Sequence, residues 1–379
     1  MGRSPLCSVM IIFLFGLLVS GCSHLPVQGA LPESVRITEV SRVDAESPFA
    51  FDPAGENLAL VDGGLRLKNI ASGAETRVGA ETPTALAWSP DGSRLAAAFP
   101  VAKESALRLY DRHGRLQAET RLGGRVSALF WLSSSEILAF AVTRLDYSFG
   151  ANIAEILYRW DGTGAANTVS LQQTTLMPGY LRQWEGIFQR ALTFSVSPLH
   201  DEMLYNRLFA PPAFSPYLKL MLRSLSSGKE REVAAVSLLS AGGVFSGDGE
   251  SIVYGEGEGE SRQLDPWGER IIATIHSPGR SLALSPSGRY LLADGRLFRQ
   301  GKEVASFPPE SAGAFSPRGG MLALRYGERL YLVAKLPDDA PSSPDATTAE
   351  QLRQLHGWVS EGLITPREYL TTRQRTIPR

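Results

Sequence analysis

Trp88-Ser89-Pro90-Asp91-Gly92 decides how this chain is read. A short apolar stretch, Thr84 to Trp88, runs into it, and a second, Leu95 to Phe99, leaves it. Pro at an early turn position and Gly at the last are what a tight connection between two strands needs. A third strand follows at Leu107 to Tyr110, closed by Arg112-His113-Gly114, and a fourth at Leu116 to Leu122. The opening phrase returns as Phe51-Asp52-Pro53-Ala54-Gly55, Val196-Ser197-Pro198, Phe245-Ser246-Gly247-Asp248-Gly249, Leu284-Ser285-Pro286-Ser287-Gly288 and Phe315-Ser316-Pro317-Arg318-Gly319. A degenerate copy stands at Trp131-Leu132-Ser133-Ser134, which makes seven.

The third-strand-plus-turn unit repeats too. It is Leu65-Arg66-Leu67 before Ser72-Gly73, Leu157 to Trp160 before Asp161-Gly162, Leu218 to Leu222 before Ser227-Gly228, and Leu297-Phe298-Arg299 before Gln300-Gly301. Two signals share one period, and about 40 residues hold four short strands, the size of a propeller blade. The expected fold class is all-β: a β-propeller over 35–336, of seven blades with four antiparallel strands each, followed by a small C-terminal α-helical hairpin. The last paragraph supplies three strands before Pro337 breaks the pattern, whereas Val35 to Val40 alternates like a strand ahead of the first phrase. That N-terminal segment is expected to complete the last blade and remove an open edge. The phrase resembles the blade signature of the TolB-type and WD-repeat-like propellers, which implies a scaffold for protein partners and identifies none.

The N-terminus reads as a targeting segment. Arg3 precedes an apolar run from Val9 to Val19, shorter than the roughly 20 residues of a membrane span. The run ends in Val19-Ser20-Gly21-Cys22. This resembles the lipobox of bacterial lipoproteins, which implies a signal peptide over 1–21, lipidation at Cys22 and a lipidated tether over 22–34. An ordinary secretory peptide with a chance cysteine is the alternative. Ser23 stands where the resemblance would place an inner-membrane retention aspartate, so the implied address is the outer membrane, facing the periplasm, in a two-membrane organism. The other cysteine, Cys7, lies inside the signal, so no disulfide framework is expected. The net charge of -1 becomes -2 once Arg3 is removed, too small for global attraction to nucleic acid or anionic lipid.

Irregular stretches carry the candidate sites. From 132 to 197 the chain exceeds a blade by about 20 residues. The excess contains Tyr180, Arg182, Trp184 and Phe188, whose aromatics recur at helical spacing. They form either a partner-binding patch or a short helix packed on the rim. The stretch Tyr205 to Tyr217 holds three prolines where a hairpin is due, and it presents Phe209, Phe214 and Tyr217. These are candidates for partner binding, the alternative being a loop folded over its neighbour. Glu256-Gly257-Glu258-Gly259-Glu260 lacks the ordered ligand spacing of a calcium loop and reads as an acidic hairpin. The histidines His24, His113, His200, His276 and His356 include no pair at metal-ligand spacing, and no nucleophile elbow or phosphate loop is present. No metal, cofactor or catalytic residue is implied, and a funnel site for a small molecule, glycan or hydrolysis remains the rival reading.

After a Pro/Asp/Ser linker over 337–347, Thr348 and Gln351 make one capping box and Thr365 and Glu368 a second, the latter with Pro366 at the first helical position. Leu352, Leu355, Val359, Leu363, Ile364 and Tyr369 supply an apolar face over 348–379. The Gly362-Leu363-Ile364-Thr365 core with Glu368 and Tyr369 resembles the short C-terminal SHOCT domain. That resemblance implies a docking hairpin or self-association. The partners expected are envelope proteins, with the membrane reached through the lipid.

Overall fold

The computed structural model describes residues 25–148, 150–177, 194–197, 201–211, 215–240, 242–247, 249, 251–265 and 270–337, and near the C-terminus 351, 352, 354, 355, 358, 363–365, 368, 369 and 372. The signal segment with Cys22, the candidates Tyr180, Arg182, Trp184, Phe188 and Phe214, most of the linker, and Val359 lie outside them.

Two strands precede the first blade, β1 (Gln28–Gly29) and β2 (Arg36–Arg42). Blade 1 is β3 (Ala50–Phe51), β4 (Asn57–Val61), β5 (Leu65–Asn69) and β6 (Glu75–Arg77). Blade 2 is β7 (Ala85–Trp88), β8 (Arg94–Val101), β9 (Glu104–Asp111) and β10 (Leu116–Gly123). Blade 3 is β11 (Arg125–Trp131), β12 (Ile137–Tyr147), β13 (Gly150–Trp160) and β14 (Asn167–Leu176). Blade 4 is β15 (Phe194–Val196), β16 (Glu202–Phe209), β17 (Tyr217–Ser224) and β18 (Glu230–Val236). Blade 5 is β19 (Gly243–Phe245), β20 (Ile252–Gly255), β21 (Ser261–Leu264) and β22 (Ile271–Ile275). Blade 6 is β23 (Leu282–Leu284), β24 (Tyr290–Ala293), β25 (Arg296–Arg299) and β26 (Lys302–Ser306). Blade 7 begins with β27 (Ala312–Phe315), β28 (Met321–Tyr326) and β29 (Arg329–Ala334). Within each blade the consecutive strands form an antiparallel meander, and the seven sheets make a seven-bladed β-propeller.

The repeated phrase falls between the first and second strand of each blade, and its serine does more than start a turn. Arg94 N–H donates to Ser89 Oγ at 2.9 Å, Ser251 N–H to Ser246 Oγ at 3.0 Å and Tyr290 N–H to Ser285 Oγ at 3.0 Å. Asp52 plays the same part in blade 1, accepting from Asn57 N–H at 3.0 Å. The side chain satisfies a backbone donor five residues on, where the turn would otherwise leave it bare. Gly92 closes the turn at φ 70°, a left-handed conformation that favours glycine.

The second strands read as unbroken apolar runs for a different reason. Leu58 to Val61, Leu95 to Phe99 and Ile137 to Ala141 are buried without alternation. Both faces of each sheet are covered by a neighbouring blade, so both strand faces must be apolar. The core therefore consists of layers between sheets. Leu138, Phe140 and Ile153 of blade 3, for instance, belong to one cluster with Met203, Leu204 and Leu208 of blade 4.

Closure follows the sequence expectation. β2 pairs antiparallel with β29, from Arg36 opposite Ala334 to Arg42 opposite Arg329, and becomes the fourth strand of blade 7. An ion pair between Glu39 and Arg329 at 2.7 Å lies across the seam.

A second N-terminal strand was not anticipated. β1 adds to β26 and makes blade 6 five-stranded, with Gln28 opposite Ser306 and Gly29 opposite Ala305. Gly29 is needed there, because a Cβ would stand 2.9 Å from the Val304 carbonyl oxygen. Leu25 is 7% exposed in the apolar cluster that holds Ala305 and Phe307, with Val27, Leu31 and Val35 packed against it. The described part of the expected tether is thus seated on the propeller, held by apolar contacts that a tether reading of 22–34 did not include.

Candidate functional site

In an antiparallel meander, successive connections alternate between the two ends of the sheet. The phrase turns and the turns between third and fourth strands share one face of the propeller, here the turn face. The hairpins between second and third strands share the opposite face with the links from blade to blade, here the link face. The described ends of both irregular stretches lie on the link face of neighbouring blades. The long link joins β14 to β15, and the proline-rich hairpin joins β16 to β17.

Blade 3 also grows toward that face. β11 pairs with β12 only as far as Arg125 opposite Val142. Beyond it, β12 continues to Tyr147, paired with β13 from Thr143–Ala154 to Tyr147–Gly150. Five residues at the antiparallel rise extend the blade by about 17 Å. Along β12 and just past β14 this extension is exposed, with Leu145 60% exposed, Tyr147 43% and Met177 55%, whereas Ala151, Ile153 and Leu176 within it are buried. Tyr217 of blade 4 and Leu239 of the next link are exposed on the same face. These residues make up an apolar crown of the link face, in which Leu145 and Tyr147 lie on the side of blade 3 turned toward blade 2, as Ala139 and Ala141 do, and Tyr217 lies on the side of blade 4 turned toward blade 3. Among the described residues of the propeller, the other exposed large apolar side chains are Leu116, Ile271 and Ile272, on the outermost strands of blades 2 and 5.

Of the partner-binding candidates, the structure brings Phe209 and Tyr217 together. They face each other at the open end of the β16–β17 hairpin, with rings stacked at 5.5 Å and 11°. The Lys219 ammonium lies 5.1 Å from the Phe209 ring and pairs with Glu232. On blade 3, Arg144 pairs with Asp146 at 2.7 Å. These flanking charges are therefore paired with charges of opposite sign. Leu145, Tyr147, Met177 and Leu239 were missed by sequence reasoning. The only available signal was the unusual length of the strands around Tyr147, and no turn residue marked it.

Beneath the crown a polar network joins blades 3 and 4. Arg207 donates to Glu230 at 2.6 Å and to Gln172 of β14, and Tyr205 donates to Glu230 at 2.8 Å. Burial opposes the Glu230 charge, but the Tyr205 hydroxyl and the Arg223 and Arg207 guanidinium groups hold its carboxyl below the usual range. Burial, with Glu230 beside it, raises the Tyr205 phenol. Glu155 of β13 is different. It is 2% exposed, Oε1 accepts a long bond from Leu208 N–H at 3.4 Å, and Oε2 has no hydrogen-bond partner among the described residues. Burial pushes its carboxyl up to about 8.

The channel wall is chemically plain. Of the residues in the seven innermost strands, Arg125 is the single ionisable one. Among the described residues no three His, Cys, Asp or Glu side chains gather as a metal site. The acidic hairpin is a strand connection in blade 5, where Glu256 pairs with Arg262 at 2.8 Å. A groove of about 160 Å³ on blade 3 is polar, with the Glu136–Arg159 pair and Asp161 on its wall.

Near the C-terminus, Leu355 and Tyr369 are buried together with Ile364 packed on them, and Leu352 is buried as well. Leu363 instead stays 67% exposed. Thr365 N–H donates to Glu368 Oε2 at 2.7 Å and Glu368 N–H to Thr365 Oγ1 at 3.2 Å, a closed capping box. The Thr365 N–H and the Thr365 hydroxyl, which donates to Glu368 Oε2 at 2.9 Å, hold the Glu368 carboxyl below its ordinary value. No described helix is long and apolar enough to cross a membrane.

No protein-family model matches the chain, and no curated protein sequence does. Solved structures do match. The chain is similar to the β-propeller domain of Cps50 (Swd1) from Myceliophteria thermophila, with a TM-score of 0.52 and 14% identity over 79% of this chain and 99% of that one. The likeness is one of fold. It carries a propeller, an architecture that commonly scaffolds protein interactions, and it carries no partner across.

Proposed function

We propose that this chain is a lipid-anchored, non-enzymatic interaction platform of the bacterial cell envelope. Cys22 carries the lipid, the propeller is the rigid body, the crown on blades 3 and 4 is its contact surface toward the envelope, and recognition of protein partners belongs to the C-terminal segment. The observation that carries this reading is the contrast between the two ends of the scaffold. The inner wall offers one ionisable side chain, Arg125, whereas exposed apolar groups gather on one face of two adjacent blades. Catalysis needs convergent acid, base or nucleophile groups, and recognition of a surface needs exposed aromatic and apolar ones. In a two-membrane organism the address is the outer membrane, facing the periplasm. The residues proposed for the C-terminal docking segment are Leu352, Leu355, Val359, Leu363, Ile364 and Tyr369, with Trp358 exposed beside them.

Two measurements test this. Cys22→Ala should release the protein from membranes, and continued retention would refute lipidation. Crosslinked envelopes should yield protein partners with the wild type that are missing from a chain ending at Leu336. Identical partners and identical oligomeric state in the two would remove the docking role of the tail.

A further inference from the structure

The two ends of the propeller chain leave it on opposite faces. β1 runs antiparallel to β26, and Gln28 sits opposite Ser306, the last residue of that strand. Continuing back from Gln28, the chain passes the end of β26 that leads into the link to blade 7. The N-terminal lead therefore emerges on the link face, the face of the crown. At the other terminus Leu336 N–H donates to the Gly320 carbonyl at 3.0 Å, beside the phrase turn of blade 7, and Tyr290 Oη donates to the Pro337 carbonyl at 3.0 Å. The C-terminal segment departs from the turn face.

From this placement we infer that the crown of Leu145, Tyr147, Met177, Tyr217 and Leu239 rests on the lipid surface of the membrane to which the N-terminus leads. The inference rests on the lipid-anchor reading for the position of the bilayer. Cys22 precedes the seated Leu25 by three residues, so a lipid there holds the link face within roughly 11 Å of the headgroups. That anchor point belongs to blade 6, and the crown lies on blades 3 and 4, across the channel. One point of attachment leaves a rigid body free to swing. A second contact on the far side of the same face fixes its tilt.

The crown's chemistry suits this occupant. Tyr147 and Tyr217 have apolar rings with a polar tip, the kind of side chain that settles at headgroup depth. Leu145 and Met177 present plain apolar surface. Arg144 with Asp146 and Lys219 with Glu232 cancel in pairs, whereas the acidic hairpin Glu256 to Glu260 of blade 5, whose Glu256 carbonyl accepts from Ser237 N–H beside Leu239, adds negative charge to the same face. The contact is therefore apolar and interfacial and has no need of anionic lipid. The turn face and the C-terminal segment are left pointing away from the bilayer, where a protein partner can reach them.

The test uses the full chain extracted from membranes and reconstituted in vesicles of phosphatidylethanolamine and phosphatidylcholine. The photo-crosslinker benzoylphenylalanine is placed at Tyr147, or as a control at Arg112 on the turn face. The mass of the N-terminal peptide is read in parallel for acylation of Cys22. The expected result is lipid adduct at position 147 and none at 112. An acylated chain that gives no lipid adduct at 147, or equal adduct at both positions, overturns the crown contact and leaves the anchor standing. An unacylated chain with lipid adduct at 147 supports the crown contact and removes the anchor reading alone. An unacylated chain with no adduct overturns both. In intact envelopes, a protein rather than lipid adduct at 147 also overturns the inference.

Discussion

Glu155→Gln separates the pH dependence of this fold into its parts. The Glu155 carboxyl sits between blades 3 and 4, 2% exposed, with one long hydrogen bond from Leu208 N–H at 3.4 Å. Burial raises it from the ordinary 4.5 to about 8, so the folded chain keeps a proton that the unfolded chain gives up. The sign follows from proton linkage. Below the unfolded value both states are protonated and Glu155 costs the fold nothing extra. As pH rises between about 4.5 and about 8, the unfolded state alone gains by ionising, at about 1.4 kcal/mol per pH unit. Above that window the loss levels off at roughly 5 kcal/mol, an upper bound because the site can relax or admit water. Glutamine has the same shape and does not titrate. Unfolding free energies from urea midpoints at unchanged m, measured from about pH 5 to about pH 9, should therefore fall by several kcal/mol more for the wild type than for the variant. Glu202, which burial raises to about 7, adds a slope common to both proteins and cancels in the comparison. Parallel curves would refute the reasoning, since they would mean that Glu155 is ionised and compensated inside the fold.

Other outcomes follow from single contacts. Ser285→Ala removes the acceptor of the buried Tyr290 N–H and should cost about 1–3 kcal/mol, read as a lowered thermal midpoint; an unchanged midpoint would reduce the phrase serine to a turn former. Deleting residues 31–43 removes the strand paired with β29 and opens an edge in blade 7, so the truncated chain should melt well below the full one. A truncated protein with the full protein's melting curve would show that the ring closes without β2.

The blade count was legible because turn chemistry is local. Ser-Pro-x-Gly specifies a connection from its own five residues, and it does so at Trp88 and at Phe315 alike. The closing strand was legible for a related reason: Val35 to Val40 alternates, and the last blade is one strand short. The degenerate copy at Trp131 still forms its turn, with Ser133 Oγ accepting from Ser135 and Glu136 N–H at 3.2 and 3.1 Å. The seat of β1 was not legible. Its strand is two residues long, and what identifies it is the approach of Gly29 to Val304, some 275 positions away.

From the sequence alone came the repeat, the ring, its closure and the two unusual stretches in blades 3 and 4, because each is written in neighbouring residues. The tertiary structure decided which features share a face. The crown of Leu145, Tyr147, Met177, Tyr217 and Leu239 draws on strands and links from 145 to 239, and its relation to the N-terminal lead depends on a pairing between residues 28 and 306. Sidedness in a propeller arises from the alternation of connections and from the stacking of sheets around the channel. Neither is a property of any short segment, so only the closed ring sets the N-terminal lead and the apolar crown on one side and the C-terminal exit on the other.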